Sequence, residues 1–276
     1  MKDYTIGFIG GGNMAASIIG GLIADGFPAD NIRVAEPVDE ARGRLAAQFG
    51  VHTDTDNSVV ASQSEVVVLA VKPQLMQVVT QGLAGAVQGN KPLVVSIAAG
   101  IRSRDLENWL GGDVALVRSM PNTPALVQSG ATGLFANPQV SDIQKQRAES
   151  ILRAVGITLW LEDEALLDAV TALSGSGPAY IFYVIEVMEQ AGIQLGLDAQ
   201  AARRLAVQTA FGAAKLALES ADDPATLRER VTSPGGTTER ALSVLREGGL
   251  EALFQQALQA ASDRASELAD QLGNNS

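Results

Sequence analysis

A glycine-rich turn near the start of the chain limits the fold more than any other feature of the sequence. The apolar run 4–9 leads into Gly10-Gly11-Gly12-Asn13-Met14-Ala15, and an apolar helical pattern continues to Asp25. In such a strand-to-helix turn the first glycine permits the bend, the third lets the backbone approach a phosphate, and the alanine keeps the helix close to the sheet. The turn predicts a doubly wound α/β domain that binds the pyrophosphate of a nicotinamide dinucleotide. A tight turn without a ligand is the alternative.

The first half of the chain alternates strands with helices, which is typical of a parallel sheet covered on both faces. The run Val66 to Val71 lacks alternation and therefore predicts a central strand that is buried on both sides. Ser141 and Gln144 have the spacing of a capping box at a helix start. We expect one N-terminal Rossmann domain over residues 1–163, with strands at 4–9, 32–35, 65–71, 93–97, 114–119, 131–136 and 157–161.

From Glu164 onward the strands stop and helical patterns take over, which predicts a C-terminal all-helical domain over residues 164–276. We expect helices at 164–173, 178–195, 198–220, 225–231, 237–247 and 250–272. The helices from Pro178 and Asp198 lack a wide polar face, and a small helical domain cannot enclose two such elements. We therefore expect them to pack against the same helices of another subunit, which makes this a dimerisation domain.

The composition excludes several classes of protein and of site. A length of 276 residues favours two domains, and hydrophobic residues at 46% with charged residues at 18% are globular values. No apolar run approaches the length of a membrane span, and no secretory signal precedes the first strand, so we expect no membrane partner and a cytoplasmic protein. A net charge of -11 argues against a nucleic-acid partner.

Two of the commonest catalytic side chains are missing or nearly so. The chain has no Cys and a single His, His52, which rules out disulfides, a thiolate nucleophile, a His-based triad and Cys- or two-His metal sites. We therefore predict no metal site. His52 stands among polar residues and is expected at the surface.

An acidic residue follows the second predicted strand, where a dinucleotide fold places its ribose contact. Glu36 lies about 20 residues beyond the glycine turn, and a carboxylate there can bind ribose hydroxyls and would repel a 2′-phosphate, which favours NADH. Arg33 and Arg42 lie nearby and can accept that phosphate if Glu36 turns away, which leaves NADPH open. Glu36 can equally be a solvated residue before Pro37.

Two further turns end predicted strands and are expected to border the cofactor. Lys72-Pro73 follows the buried strand and Ala98-Ala99-Gly100 follows the next one. In an open parallel sheet, ligands bind beyond the carboxyl ends of the strands. Lys72 can instead be a plain charge on an exposed turn.

Two small-residue turns in the second half are candidates for the substrate. Ser233-Pro234-Gly235-Gly236-Thr237-Thr238 exposes backbone N-H groups at a helix start, which suits a carboxylate. Ser174-Gly175-Ser176-Gly177 precedes another helix and can form a facing wall. The alternatives are an ordinary Pro-Gly-Gly turn and helix capping.

Motifs along nearly the whole chain resemble one family. In order they are 8–14 around the glycine turn, Ala70-Val71-Lys72-Pro73, the segment 95–100, Arg118-Ser119-Met120-Pro121-Asn122-Thr123-Pro124, the segment 173–180 and the segment 231–238. Together they resemble the pyrroline-5-carboxylate reductases, which reduce a cyclic imine acid to proline with NAD(P)H. The resemblance implies interlocked homodimers, often a ring of five dimers.

The resemblance also implies roles for individual residues. Thr238 matches the position whose hydroxyl lies near the ring nitrogen, and we predict it as the catalytic residue; Glu164 matches a position close to the cofactor, although it can equally start a helix. The predicted substrate-binding residues are Ser174, Ser176, Gly177, Ser233, Gly235, Gly236, Thr237 and Thr238. The predicted NADP(H)- or NAD(H)-binding residues are Ile9, Gly10, Gly11, Gly12, Asn13, Met14, Ala35, Glu36, Asn57, Ala70, Val71, Lys72, Pro73, Ala98, Ala99, Gly100 and Glu164.

The absence of Cys and the single His agree with hydride transfer to a C=N carbon. This reaction needs the reactants to be positioned but needs no covalent intermediate, metal or His base. Two alternative classes of dehydrogenase need a catalytic Lys that this sequence lacks at the required position. A β-hydroxyacid dehydrogenase needs a Lys on the helix that contains Tyr180, yet no Lys occurs there, and a short-chain dehydrogenase needs Tyr-x-x-x-Lys. A non-catalytic dinucleotide sensor would need the cofactor turn but not a second anion loop.

Overall fold

The computed structural model describes residues 3–273 of the chain, so the ends of the predicted domains at 1 and 276 lie outside the described residues. An eight-stranded sheet has the order β3-β2-β1-β4-β5-β6-β7-β8. Its strands are β1 Ile6–Ile9, β2 Ile32–Ala35, β3 His52–Asp54, β4 Val66–Leu69, β5 Leu93–Ser96, β6 Leu116–Met120, β7 Gly130–Ala136 and β8 Gly156–Trp160. Every strand predicted from the sequence is present; the strand at 32–35 has the predicted ends, and the ends of the others differ by up to two residues. The short β3 was not predicted, and it contains the exposed His52.

The helices follow the predicted pattern, and the capping box at Ser141 is formed by both of its hydrogen bonds. They are α1 Asn13–Ala24, α2 Asp39–Phe49, α3 Asn57–Ser62, α4 Met76–Asn90, α5 Ser103–Trp109, α6 Asp142–Arg153, α7 Leu166–Val170, α8 Gly177–Gln194, α9 Ala199–Glu219, α10 Pro224–Arg230, α11 Thr237–Glu247 and α12 Leu250–Gly273. A π-helical turn, Thr171–Gly175, follows α7. None of the helices formed by residues 3–273 combines the length and the hydropathy that a membrane crossing requires.

The chain divides into two compact units, each described by itself. The first contains the described residues up to Gly175 together with those from Ala261 onward, and the second is Ser176–Ala260. The domain boundary after residue 163 stays a prediction from the sequence.

The sheet of the first unit is buried between two apolar layers. Strand β4 is completely buried, as its lack of alternation predicts. One layer packs Ile18 and Ile19 of α1 with Ile151 of α6, and the other includes Met76 and Leu83 of α4. This double cover fixes the strands, and with them the edge at which their carboxyl ends meet.

The last two strands depart from the predicted parallel arrangement. β1 to β6 pair in parallel, but β7 runs antiparallel to β6, and β8 is parallel to β7. The link from β6 to β7 contains only the short 3-10 segment Thr123–Val127. A parallel return needs a crossover of about a dozen residues or more, usually with a helix, so this short link reverses the strand direction.

The second unit is a group of helices with large apolar side chains on its surface. Helices α8 and α9 pack against each other, with Gly192 close to Ala202. Within this single chain, Phe182 is 65% exposed and Phe211 is 59% exposed. Exposed apolar surface of this kind marks an interaction site.

Candidate functional site

The glycine turn has the geometry of a phosphate-binding turn. Gly10 has a φ of 100°, and a β-carbon there would lie 2.7 Å from the carbonyl oxygen of Ala70. A side chain at this position would therefore be both strained and blocked. A β-carbon at Gly12 would meet nothing within 4 Å, so the space beside the start of α1 is open.

The start of α1 is open to an anion. Gly12 is the residue before the helix, and no side chain among the described residues caps it. The N-H groups of the first turn and the positive end of the helix dipole are therefore available to a ligand. This combination fits the pyrophosphate of a dinucleotide.

Backbone hydrogen bonds bring the predicted cofactor residues of several strands to one edge. The N-H of Gly10 donates to the oxygen of Ala35 at 2.8 Å, and the N-H of Ala70 donates to the oxygen of Ile9 at 2.8 Å. The N-H of Ile97 donates to the backbone oxygen of Leu69 at 3.2 Å, which aligns the end of β5 with the end of β4. The segments 9–14, 35–36, 70–73 and 98–100 therefore begin at the same edge of the sheet.

Asn57 and Lys72 lie beside this edge in different settings. The N-H of Glu36 donates to the oxygen of Asp54 at 3.0 Å, which extends the edge to β3, and Asn57 starts α3 shortly after it. Lys72 is exposed just after β4, before the 3-10 turn that Pro73 starts.

The Glu36 carboxylate faces the glycine turn instead of projecting into solvent. It accepts hydrogen bonds from the N-H of Gly11 at 2.9 Å and from the N-H of Val38 at 3.1 Å. Beside it, Arg42 donates to the backbone oxygen of Glu36 at 2.6 Å and pairs with Asp39. A carboxylate and a guanidinium thus stand together at the end of β2.

Glu164 contacts protein groups that sequence reasoning did not anticipate. Its carboxylate accepts hydrogen bonds from the N-H of Ser103 at 2.7 Å, from the Ser103 hydroxyl at 2.9 Å, and from the buried Arg118 of β6. These bonds hold the start of α5, three residues beyond Gly100. The cofactor contact of Glu164 stays a prediction. Arg118 stands within a motif of the sequence, but nothing there indicates a pairing over such a distance along the chain.

Asp168 lies near the same charges. Burial raises the pKa of the Asp168 carboxyl above its ordinary value of 3.8, while Arg118 and Arg102 act in the opposite direction. Glu164 and Asp270 add smaller repulsions that raise the pKa further. The ends of several elements of the first unit therefore share one mixed cluster of charges.

In the second unit, the loop Ser233–Thr238 already holds a carboxylate. α11 begins directly after Gly236 without a side-chain cap among the described residues. The N-H of Gly235 donates to the Glu239 carboxylate at 2.7 Å, and the N-H of Gly236 donates to the oxygen of Ser233 at 3.0 Å. The exposed loop therefore has the donor geometry for a carboxylate, and Thr238 lies in the first turn of the helix that follows.

The turn Ser174–Gly177 is held at Ser174 by the side chain of Asn122. Asn122 donates its side-chain N-H to the oxygen of Ser174 at 3.0 Å and accepts from the N-H of Ala131 at 2.9 Å. Ser176 precedes α8, yet no side chain in the described part of the chain caps that helix. The capping alternative for Ser176 is therefore wrong.

Two family models match the chain. The model described as pyrroline-5-carboxylate reductase dimerisation matches residues 164–268, which include the loop Ser233–Thr238. The model described as NADP oxidoreductase coenzyme F420-dependent matches residues 5–100, which include the glycine turn.

Curated relatives are similar over their whole length. The pyrroline-5-carboxylate reductase of Pseudomonas aeruginosa is 54% identical over 273 residues, covering 99% of this chain and 100% of that protein. The protein of the same name from Pasteurella multocida is 46% identical, covering 97% of this chain and 98% of its own.

Solved structures show the same similarity in three dimensions. A pyrroline-5-carboxylate reductase from Coxiella burnetii has a TM-score of 0.94 at 47% identity, covering 96% of this chain and 98% of its own. A pyrroline carboxylate reductase from Plasmodium falciparum, with NADP bound, has a TM-score of 0.85 at 26% identity, covering 98% of this chain and 99% of its own.

Proposed function

Because the chain belongs to the pyrroline-5-carboxylate reductase family, we propose that its glycine turn binds the dinucleotide and its loop Ser233–Thr238 binds the substrate carboxylate. The chain is an oxidoreductase that reduces 1-pyrroline-5-carboxylate to L-proline with NAD(P)H, the last step of proline biosynthesis.

The start of α1 supports cofactor binding, because it is open and no side chain in the described part of the chain caps it. Gly12 leaves room for phosphate oxygens beside N-H groups that, within residues 3–273, have no side-chain cap, and Gly10 allows the bend that precedes them. The bound dinucleotide supplies the hydride. Ala35, Ala70 and Ala98, at or just beyond the ends of β2, β4 and β5, have small side chains that leave space for it.

The carboxylate half rests on the hydrogen bond between Gly235 and Glu239. A backbone N-H that donates to a carboxylate of its own chain at 2.7 Å can donate to the carboxylate of a small imine acid in the same way. Ser233, Gly236 and Thr237 complete this turn, and Ser174, Ser176 and Gly177 form the second small-residue turn that we assign to the substrate.

Thr238 is the group that we assign to the ring nitrogen. Its hydroxyl can hydrogen-bond to the imine nitrogen and hold the ring in orientation, which is the main need of a hydride transfer. A threonine hydroxyl is a poor acid at neutral pH, so water is the final source of the proton.

We also propose that the chain forms homodimers, with a ring of five dimers as the larger assembly, and that it functions in the cytoplasm. The match to the dimerisation family and the exposed apolar side chains of α8 and α9 support the homodimer. The larger ring rests on the family resemblance alone, and the cytoplasmic location is supported by the biosynthetic role of the curated relatives.

The test is an assay of dinucleotide oxidation with NADPH and NADH. Pyrroline-5-carboxylate, its six-membered homologue and 3-hydroxyisobutyrate are compared on the wild type, Thr238→Ala and Thr238→Ser. We expect Thr238→Ala to lower kcat/KM for the five-membered imine about tenfold, the effect of one lost hydrogen bond to a polarised group, and Thr238→Ser to restore most of it. Full kcat/KM in Thr238→Ala would refute the role of the hydroxyl.

A further inference from the structure

The loop between β5 and α5, residues 97–102, is poorly fixed by its own hydrogen bonds. Within residues 3–273, the N-H groups of Ala99 and Gly100 have no hydrogen-bond partner. Gly100 has a φ of 71°, which few other residues adopt. The position of such a loop depends on the elements that pack against it.

The end of α12 lies directly on this loop. A β-carbon on Gly100 would lie 3.4 Å from Cδ1 of Leu272 and 3.7 Å from Cβ of Leu268. Leu272 also packs against the buried cluster that contains Ala98 and Ile101. The end of the helix is therefore in van der Waals contact with the loop from Ala98 to Ile101.

An ion pair adds a polar contact to this packing. Arg102, the last residue of the loop, donates to Asp270 of α12 at 2.5 Å. The backbone oxygen of Arg102 accepts from the N-H of Asp105 at 3.1 Å, so the same residue begins α5. On the other side, Glu164 holds Ser103 by its N-H and its hydroxyl. The loop is thus held at Gly100 and Arg102 by α12 and at Ser103 by Glu164.

We propose that the end of α12 positions the loop 97–102 for cofactor binding, with Asp270 acting through Arg102 as a positioning residue. This rests on the proposed function, because Ala98, Ala99 and Gly100 are assigned there to the dinucleotide. A loop held in place before the cofactor arrives loses less entropy on binding, and this lowers the Kd. Asp270 pairs with Arg102 and is assigned no contact with cofactor or substrate.

The alternative is that the ion pair only anchors the C-terminal helix. A purely structural anchor would change the thermal midpoint without a specific effect on the dinucleotide. A positioning residue changes the Kd and KM for NADPH and leaves the KM for the imine acid unchanged. Because the pair is partly exposed, we expect a moderate change, about two- to fivefold in the Kd for NADPH.

The test compares Asp270→Asn with Glu267→Gln in the full-length protein. Glu267 is an exposed acid of the same helix, and among residues 3–273 its ion pair is with Arg264 of α12, which makes it a matched control for the loss of a carboxylate. Hydrogen exchange of the peptide covering residues 97–106 is measured without cofactor, and the Kd for NADPH is measured by titration. Asp270→Glu serves as the conservative variant.

We expect Asp270→Asn to speed exchange in this peptide and to raise the Kd for NADPH, and Glu267→Gln and Asp270→Glu to resemble the wild type. Unchanged exchange, or faster exchange with an unchanged Kd, would overturn the proposal. Gly12→Val tests the proposed cofactor site separately. If this variant bound NADPH like the wild type, the assignment of the glycine turn to the dinucleotide would be wrong, whatever the result for Asp270→Asn.

Discussion

Two glutamates that follow strands, Glu36 after β2 and Glu164 after β8, accept hydrogen bonds from backbone N-H groups. Glu36 joins Gly11 to Val38 at the end of β2, and Glu164 joins Ser103 to the buried Arg118. Glu36 is fixed beside the turn assigned to the pyrophosphate, and we propose that its carboxylate faces the ribose of the dinucleotide. Glu164 is satisfied within the protein.

Replacement of Glu36 by serine is expected to shift the cofactor preference toward NADPH. The substitution removes a charge that repels a 2′-phosphate and leaves Arg42 beside the vacated space. A charged hydrogen bond contributes about 1.5–3 kcal/mol, so we expect the ratio of kcat/KM for NADPH to that for NADH to rise at least about tenfold. Glu40→Ser, at an exposed acid in the first turn of α2, is the control. An unchanged ratio in Glu36→Ser would show that the carboxylate does not select the cofactor.

The half-buried carboxyl of Asp168 is expected to make stability depend on pH. Because burial raises its pKa above 3.8, the folded protein holds this proton more tightly than the unfolded chain does. The contribution of Asp168 to stability is therefore fully present below pH 3.8 and is lost as the pH rises through the folded pKa. Asp168→Asn should raise the Tm at pH 7, and the gain should vanish at low pH. Thermal unfolding from pH 3.5 to 8 measures this, and a gain that is constant with pH would contradict it.

At the scale of elements, α1 approaches the turn before β8 more closely than a side chain would allow. A β-carbon at Gly21 would lie 2.4 Å from the backbone oxygen of Ala154. Gly21→Ala must push the helix and the turn apart, and we expect it to lower the free energy of unfolding by about 1–3 kcal/mol.

A glycine in open space supplies the matched control for this substitution. Gly85 lies on the exposed face of α4, and a β-carbon there would meet nothing within 4 Å. Gly85→Ala should raise the free energy of unfolding by up to about 1 kcal/mol, because alanine favours the helix. Urea unfolding at one protein concentration compares the two variants. Equal effects would show that the contact at Ala154 does not limit the packing.

Local pattern predicted most elements of this fold, because strands buried on both faces and apolar helices leave continuous signals in the sequence. The reversal at β7 was missed, since a short link between strands and a longer crossover differ little in composition. The contacts of Glu164 with Arg118 and of Arg102 with Asp270 were also missed. They join residues far apart in the sequence, and the pairing of charges depends on the completed packing.

At the scale of the whole molecule, the apolar surface of the second unit points to a missing partner. Helices α8 and α9 place large side chains, among them Ile181, Phe182, Leu205 and Phe211, on the surface of this single chain. Each apolar side chain left in water forgoes about 1.5–3 kcal/mol of burial. Association that covers these residues would recover that free energy, and a second copy of the chain is the occupant that we propose.

A charge in this apolar surface should therefore separate the subunits. Phe211 is 59% exposed on α9, and Phe211→Glu would have to bury a carboxylate in the proposed interface. We expect light scattering at micromolar concentration to give a dimer or a larger assembly for the wild type and mostly monomer for the variant. Gln81→Glu adds the same charge at an exposed position of α4 and should leave the mass unchanged. A monomeric wild type would refute the homodimer. If the Phe211→Glu variant had the same assembly mass as an oligomeric wild type, the interface would lie away from the exposed face of α9.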